Sequence, residues 1–296
     1  KVHHTDAVRL KEGGVGATFF AVYIDKKFVE GNHSANRTLQ MIDTVKHDIV
    51  DRYPQTFQLA TSVKEIEAAK AKGKIAALMG IEGGHAIEDS LGLLRDFYAL
   101  GIRYMTLTHS NTNNWADSSG DVTDSKIMHH NGLTPFGKDV VREMNRLGMI
   151  VDISHVADKT FWDALEVSKA PIFASHSSCR ALADAPRNMT DEMIVALAKK
   201  GGVVQVNFNC GFVSQRFRNA TAQQQKTMRA SFEELLAHID HIKKIAGIDA
   251  IGIGSDFDGV DCVPEQLDDV SKFPNLTRAL LERGYSAMDI RKIYGL

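Results

Sequence analysis

The sequence predicts an α/β protein of the TIM (β/α)8-barrel type. Three observations point there. Strand-like and helix-like segments alternate along all 296 residues, the order that builds a parallel sheet covered by helices. The strand-like segments are continuous apolar runs, as expected when both faces of a sheet are buried. Six of them also end on a polar residue: IAALMGIEGGH, IRYMTLTHS, MIVDISH, PIFASHSS, VVQVNFN and AIGIGSDFDG. They deliver Glu82, His109, His155, His176, Asn207 and Asp256. One apolar run ending this way means little. Repetition matters because a parallel barrel gathers the C-terminal ends of its strands around one pocket.

The elements follow in order. VGATFFAVYI, residues 15–24, is rich in β-branched and aromatic residues after a Gly-Gly turn signal and reads as a strand. Leu39, Ile42, Val45 and Ile49 recur at helical spacing and predict a helix over 34–52. Ser62 with Glu65 three residues later predicts a capped helix over 62–72. A strand over 75–81, a helix over 90–100 and a strand over 102–108 come next. A loop rich in Asn, Asp, Ser and Gly fills about 110–132, and loops of that length are usually functional or mobile. Pro135 suits the first turn of a helix over 135–147. Strands over 149–154, 171–175, 203–208 and 250–254 alternate with helices over 157–168, 190–199 and 226–246, and a last helix covers 286–294. These segments give seven strands, whereas a closed barrel needs eight. An open doubly wound sheet is the alternative. It would carry a Gly-rich phosphate turn after an early strand, whereas Gly13-Gly14 precedes its strand here.

Composition bounds the rest. A hydrophobic share of 44% supports one large core. A net charge of -2, with no basic stripe, argues against nucleic acid or an anionic membrane surface as partner. No run of about 18 apolar residues is present, so no transmembrane helix is expected, and KVHHTDAVRLKEGG lacks the apolar stretch of a signal peptide. Cys179, Cys210 and Cys262 are far apart and form no C-x-x-C pair. A disulfide framework is therefore not indicated.

Each chemical residue has a bland reading and a sharp one. Glu82 alone is a solvated loop glutamate; in Glu-Gly-Gly-His its two oxygens can bridge metal ions while the glycines let backbone approach closely. His155 and His176 lie 21 residues apart, one strand–helix–strand unit, which sets them on neighbouring strand ends. Neutral imidazole is a common zinc ligand, so the pair reads as a metal site where either alone reads as a surface histidine. Asp256 is placed to ligate metal or to act as general base on metal-bound water. Asp256-x-Asp258-Gly259 lacks the rest of a calcium-loop pattern, and Asp258 reads as a turn cap. His109 is placed to orient substrate or stabilise an oxyanion. Arg187 is either an ordinary surface arginine or a bidentate partner for a carboxylate. His238 and His241 sit at helical spacing and read as decoration of one helix face. No Gly-x-Ser-x-Gly elbow and no phosphate-binding loop appear.

Glu82-Gly83-Gly84-His85, Leu107-Thr108-His109-Ser110, Asp152-Ile153-Ser154-His155, Ser175-His176-Ser177-Ser178, Pro186-Arg187-Asn188 and Ser255-Asp256-Phe257-Asp258-Gly259 together resemble the membrane (renal) dipeptidase family, within the amidohydrolase-type barrels. Gly14-Val15-Gly16-Ala17 and Leu133-Thr134-Pro135-Phe136-Gly137 match between the motifs, so the resemblance covers essentially the whole chain. It implies a homodimeric barrel hydrolase with two zinc ions per active site that cleaves dipeptides. On that resemblance Glu82 bridges the zincs, and His155 and His176 complete one of them. Asp256 handles the proton of the attacking water or holds the substrate amino group. His109 faces the scissile carbonyl oxygen and Arg187 the terminal carboxylate. The chemistry is coherent, because zinc lowers the pKa of bound water towards about 7. The resemblance also implies an exported or membrane-anchored location.

The family's other zinc takes a His-x-Asp pair from a first strand. His4-Thr5-Asp6 has that spacing but no apolar strand before it, so it reads as a decoy. With the seven-strand count, this predicts residues 1–296 as a single barrel metallohydrolase domain lacking its first strand and its extreme C-terminal segment, with one complete zinc site readable. A related amidohydrolase acting on N-acyl amino acids or lactams is the second reading. A non-catalytic barrel is the third, if the first-strand pair is truly absent.

Overall fold

The computed structural model describes residues 3–295. The chain forms two compact units, one of residues 15–172 and one of residues 1–14 with 173–296. Both are built from parallel strands and covering helices.

In the first unit the strands are β1 (Ala17–Tyr23), β2 (Phe57–Leu59), β3 (Ile75–Glu82), β4 (Ile102–Thr106) and β5 (Ile150–Asp152). β3 is the spine, and every residue from Ile75 to Ile81 is buried, as its unbroken apolar run requires. It pairs in parallel with β1 along its whole length and, successively, with β2 and β4. β2 escapes sequence patterning because three residues, Phe-Gln-Leu, are too few to show a period. β4 then pairs with β5, setting Thr106 beside Asp152. The predicted helix over 34–52 is an α-helix, Ser34–Asp43, continuing as a π-helix, Thr44–Asp51. Ser62 caps Val63–Ala71 through the Glu65 N–H, and the Glu65 carboxylate accepts from Thr61 N at 2.6 Å and Thr61 Oγ1 at 2.8 Å. Thr134 caps Pro135–Leu147, whose Val140, Val141 and Met144 are buried.

The second unit contributes β6 (Phe173–Ser177), β7 (Val203–Val206) and β8 (Ile251–Ile253), paired in that order and all parallel. Phe232–Ala246 packs against Asp191–Lys199 and buries Leu235, Leu236, Ile239 and Ile242. The stretch 209–226 is largely three short helices, Cys210–Val213, Gln215–Asn219 and Ala222–Gln225. Helices Ala7–Glu12 and Phe273–Glu282 were also not legible as periodic runs.

Three expectations are corrected. The described residues form eight strands where seven were expected, β2 being the additional one. Cys210 and Cys262 form a disulfide across a sequence separation of 52 residues; distance in the sequence says nothing once β7 and β8 are neighbours. Cys179 is free and buried. His238 is not surface decoration: it is fully buried, accepting at Nδ1 from Cys179 N at 3.0 Å and donating from Nε2 to the Val213 carbonyl at 2.9 Å. Burial holds its pKa down at about 4. His241 does reach the helix surface, where it pairs with Asp191 at 2.8 Å. Among the described residues no helix is long and apolar enough to cross a membrane.

Candidate active site

In the unit of residues 15–172, register builds the site. Tyr23 of β1 lies beside Glu82 of β3, Glu82 beside Thr106 of β4, and Thr106 beside Asp152 of β5. Four strands thus end in one row. Glu82 is delivered by a turn only glycine permits. Gly83 has φ +112, a region L side chains rarely adopt, and a Cβ on Gly84 would strike the Leu107 carbonyl and the Trp115 ring. The spacing Glu-Gly-Gly is therefore a packing requirement. His85, next in the motif, is buried and turned away, its Nε2 2.9 Å from the Ile24 carbonyl; burial lowers its pKa.

His155 and His109 converge on Glu82. His155 Nε2 lies 3.1 Å and His109 Nε2 3.8 Å from the same carboxylate oxygen, Oε1. The two imidazoles lie tilted against each other at 4.3 Å, and the Tyr23 ring packs on His109 at 4.7 Å. All three groups are largely buried, with side-chain exposures of 13% for Glu82, 12% for His155 and 19% for His109. His155 sits at φ +68, a backbone region uncommon outside glycine that clusters at functional sites.

The loop over 110–132 supplies the restraint. Residues 115–119 are buried. Ser119 N and Oγ donate to the His155 carbonyl at 2.8 and 3.0 Å. Ser118 Oγ donates to the His109 carbonyl and reaches the His155 carbonyl at 3.2 Å. Asp117 anchors the segment, accepting from His130 N and Gly132 N at 2.8 Å each. The buried segment 115–119 of this long loop is a brace, and its longest exposed run is 122–128.

In the other unit, three more strand ends carry chemistry. His176 lies within β6, buried, with Nδ1 2.7 Å from Ser175 Oγ. Next to it, Ser177 Oγ accepts from Arg187 Nη1 at 2.8 Å. The Arg187 guanidinium also stands 5.7 Å from the Phe212 ring. Asn207, fully buried past the end of β7, donates from Nδ2 to Asp256 Oδ2 at 2.9 Å. Asp256 has φ +61 and Asp258 φ +69. The turn is braced by the N-terminal segment. His4 N donates to Asp258 Oδ1 at 2.6 Å, Asp258 N donates to His4 Nδ1 at 3.0 Å, and the His4 ring packs on Phe257 at 5.3 Å. Asp6 caps the helix Ala7–Glu12. His4 and Asp6 thus both make structural contacts.

Each unit thus holds part of the predicted set: Glu82, His109 and His155 in one, His176, Arg187 and Asp256 in the other. Sequence reasoning missed Tyr23, Ser118 and Ser119, and gave Asn207 no role. Tyr23 ends its strand run as Glu82 does, a signal that was present. Ser118 and Ser119 act through backbone carbonyls, which leave no residue-type signature.

A parallel α/β fold with a carboxylate and imidazoles converging at its strand ends defines a metal-dependent hydrolase. The chain belongs to the membrane dipeptidase family, peptidase family M19, whose model matches residues 1–296. It is 41% identical over 303 residues to an uncharacterized dipeptidase of Schizosaccharomyces pombe, covering 98% of this chain and 70% of that one. It is 38% identical over 305 residues to the dipeptidase verJ of Clonostachys rogersoniana, covering 100% and 74%. Among solved structures, a metallo peptidase from Rhodobacter sphaeroides liganded with a phosphinate mimic of the dipeptide L-Ala-D-Ala superposes with TM-score 0.85 at 27% identity, covering 99% of this chain and 88% of that one. The probable dipeptidase PvdM from Pseudomonas aeruginosa superposes with TM-score 0.86 at 25% identity, covering 99% and 86%. The fold is the TIM-barrel-like one of these enzymes, and the protein is a metallo-dipeptidase, a hydrolase of peptide bonds.

Proposed function

We propose that Glu82, His155 and His176 hold a zinc ion and that Asp256, His109 and Arg187 act on a free dipeptide around it. One carboxylate and two imidazoles are donors of the type that bind such an ion. The observation that carries the proposal is the approach of His155 Nε2 to Glu82 Oε1 at 3.1 Å, with His109 at 3.8 Å. A carboxylate and imidazoles this close, largely buried and converging on one oxygen, fit a divalent cation.

The ion supplies Lewis acidity, lowering the pKa of water and polarising the peptide carbonyl. The protein's own groups do the rest. Asp256 takes the proton that water loses on adding to the carbonyl carbon, and returns it to the amide nitrogen as the C–N bond breaks, leaving two amino acids. Asn207 fixes Asp256 Oδ2 for that exchange. His109 faces the carbonyl oxygen as it gains charge. Arg187 takes the terminal carboxylate, its guanidinium aimed by Ser177 and Phe212. A site that pairs the terminal carboxylate one residue beyond the scissile bond disfavours longer peptides, which leave that buried polar group unpaired. The mimic held by the Rhodobacter relative is a phosphinate, tetrahedral at phosphorus as the attacked carbon becomes, which supports an addition mechanism.

A panel of dipeptides beside N-acyl amino acids and lactams is the test. Cleavage of dipeptides, lost on chelation and restored by Zn2+, is expected. Preferential turnover of N-acyl amino acids would favour the related amidohydrolase instead. We further propose that residues 1–296 act as one barrel domain, supported by solved relatives that cover 99% of the chain in one superposition. An extracytoplasmic homodimer completes the proposal. The disulfide supports that setting, because such bonds persist in oxidising surroundings. Sedimentation of the purified protein tests the dimer.

A further inference from the structure

We infer that the Cys210–Cys262 disulfide is a positioning device that holds Asp256 against Asn207. The inference rests on the reading of Asp256 as the proton-handling group. The two cysteines lie just beyond the residues they would serve, Cys210 three positions after Asn207 and Cys262 six after Asp256. Both segments leave the ends of adjacent strands, since β7 pairs with β8 through Val206 and Ile253. Beyond the ladder the links between the two loops include Asn207 Nδ2 to Asp256 Oδ2 at 2.9 Å, Cys210 N to the Cys262 carbonyl at 3.1 Å, the Phe208 ring on the Phe257 ring at 5.6 Å, and the disulfide itself.

The loop needs that restraint. Asp256 at φ +61 and Asp258 at φ +69 occupy backbone conformations that persist only where the surroundings over-determine them. On one flank His4 grips Asp258 through two hydrogen bonds and covers Phe257. On the other flank the disulfide fixes the loop's exit to the segment that carries Asn207. A chain of this size buries enough core to fold without a covalent staple. The bond's place, between two strand-end loops bearing a hydrogen-bonded pair, points to local positioning. Catalytic groups are sensitive to this, since a shift of about 1 Å can cost roughly 100-fold in rate.

The test compares Cys210→Ser/Cys262→Ser, Asn207→Ala and the triple variant in the metal-loaded enzyme. Removing the disulfide is expected to lower kcat roughly 10- to 100-fold, leave KM within about twofold and shift the pH dependence of kcat. The triple variant is expected to lose no more than Asn207→Ala alone, because both act through Asp256. A fall in Tm with kcat and its pH profile unchanged, or losses that simply multiply, would overturn the inference. Should the double variant not fold, phosphine reduction of the folded wild type, followed by circular dichroism, gives the same reading. Loss of kcat with the spectrum retained supports the clamp, and full activity after complete reduction overturns it. Asp256→Asn separates the two ideas. Undiminished activity there sinks the proton-handling role and the clamp with it, whereas an inactive Asp256→Asn beside a fully active disulfide-free enzyme sinks the clamp alone.

Discussion

Glu82 has the most to lose by substitution. Its carboxylate meets His155 at 3.1 Å and His109 at 3.8 Å, and Gln keeps its shape while removing its charge. Glu82→Gln is expected to weaken metal binding beyond the roughly 10- to 100-fold that loss of an outer partner costs. Metal content after dialysis, measured beside kcat, checks this; full retention of both would remove Glu82 from the site. A second residue-scale prediction concerns His238, whose two nitrogens are committed in one tautomer to Cys179 N and the Val213 carbonyl. Its pKa falls from 6.5 to about 4 because burial disfavours the charged ring. The unfolded chain therefore binds a proton the folded chain refuses. Stability is expected to fall as pH drops from about 6.5 to about 4, by up to about 3 kcal/mol from this group. Thermal melts across that range should show the slope, and His238→Asn should flatten it. An unchanged slope in the variant would assign the effect elsewhere.

At the scale of elements, the loop of residues 115–119 does work usually given to strands. It holds the carbonyls of His109 and His155 from outside the sheet through Ser118 and Ser119. Ser118→Ala strips the His109 carbonyl of that hydroxyl, while Ser119 still serves His155. A buried acceptor left without its partner costs about 1–3 kcal/mol. We expect a lower Tm together with a drop in kcat, since the two imidazoles that face Glu82 lose their common anchor. A variant with lower Tm and unaltered kcat would make the loop a stability element only. The length of the loop over 110–132 leaves a functional and a mobile reading open. Its Asn, Asp and Ser residues are donors and acceptors that close part of it on itself, as Asp117 does with His130 and Gly132.

For the whole molecule, the quantity predicted is how many metal ions the chain holds. The His4-Thr5-Asp6 triplet is occupied, with His4 bound to Asp258 and Asp6 capping a helix. We expect one tightly bound zinc per chain in this polypeptide, measured by elemental analysis after gel filtration. Two tightly bound zincs with full dipeptidase activity would show that another donor pair exists.

The fold class was legible because parallel strands buried on both faces leave an unbroken apolar run, as Ile75–Ile81 does. Glu82, His109, His155, His176 and Asp256 were legible because strand ends deliver chemistry and residue type names it. β2 was not, since Phe57–Leu59 is shorter than any period it could display. The amino-acid sequence by itself thus determined the alternation of elements, the polar residue ending each run and the family. Only the tertiary structure decided which groups meet: Asn207 with Asp256, Ser118 with two carbonyls, Tyr23 on His109, and Cys210 with Cys262. The physical reason is that strand propensity and burial are local and periodic. Partners joined through backbone atoms, or across 52 residues of sequence, are fixed only when register sets neighbouring strands side by side.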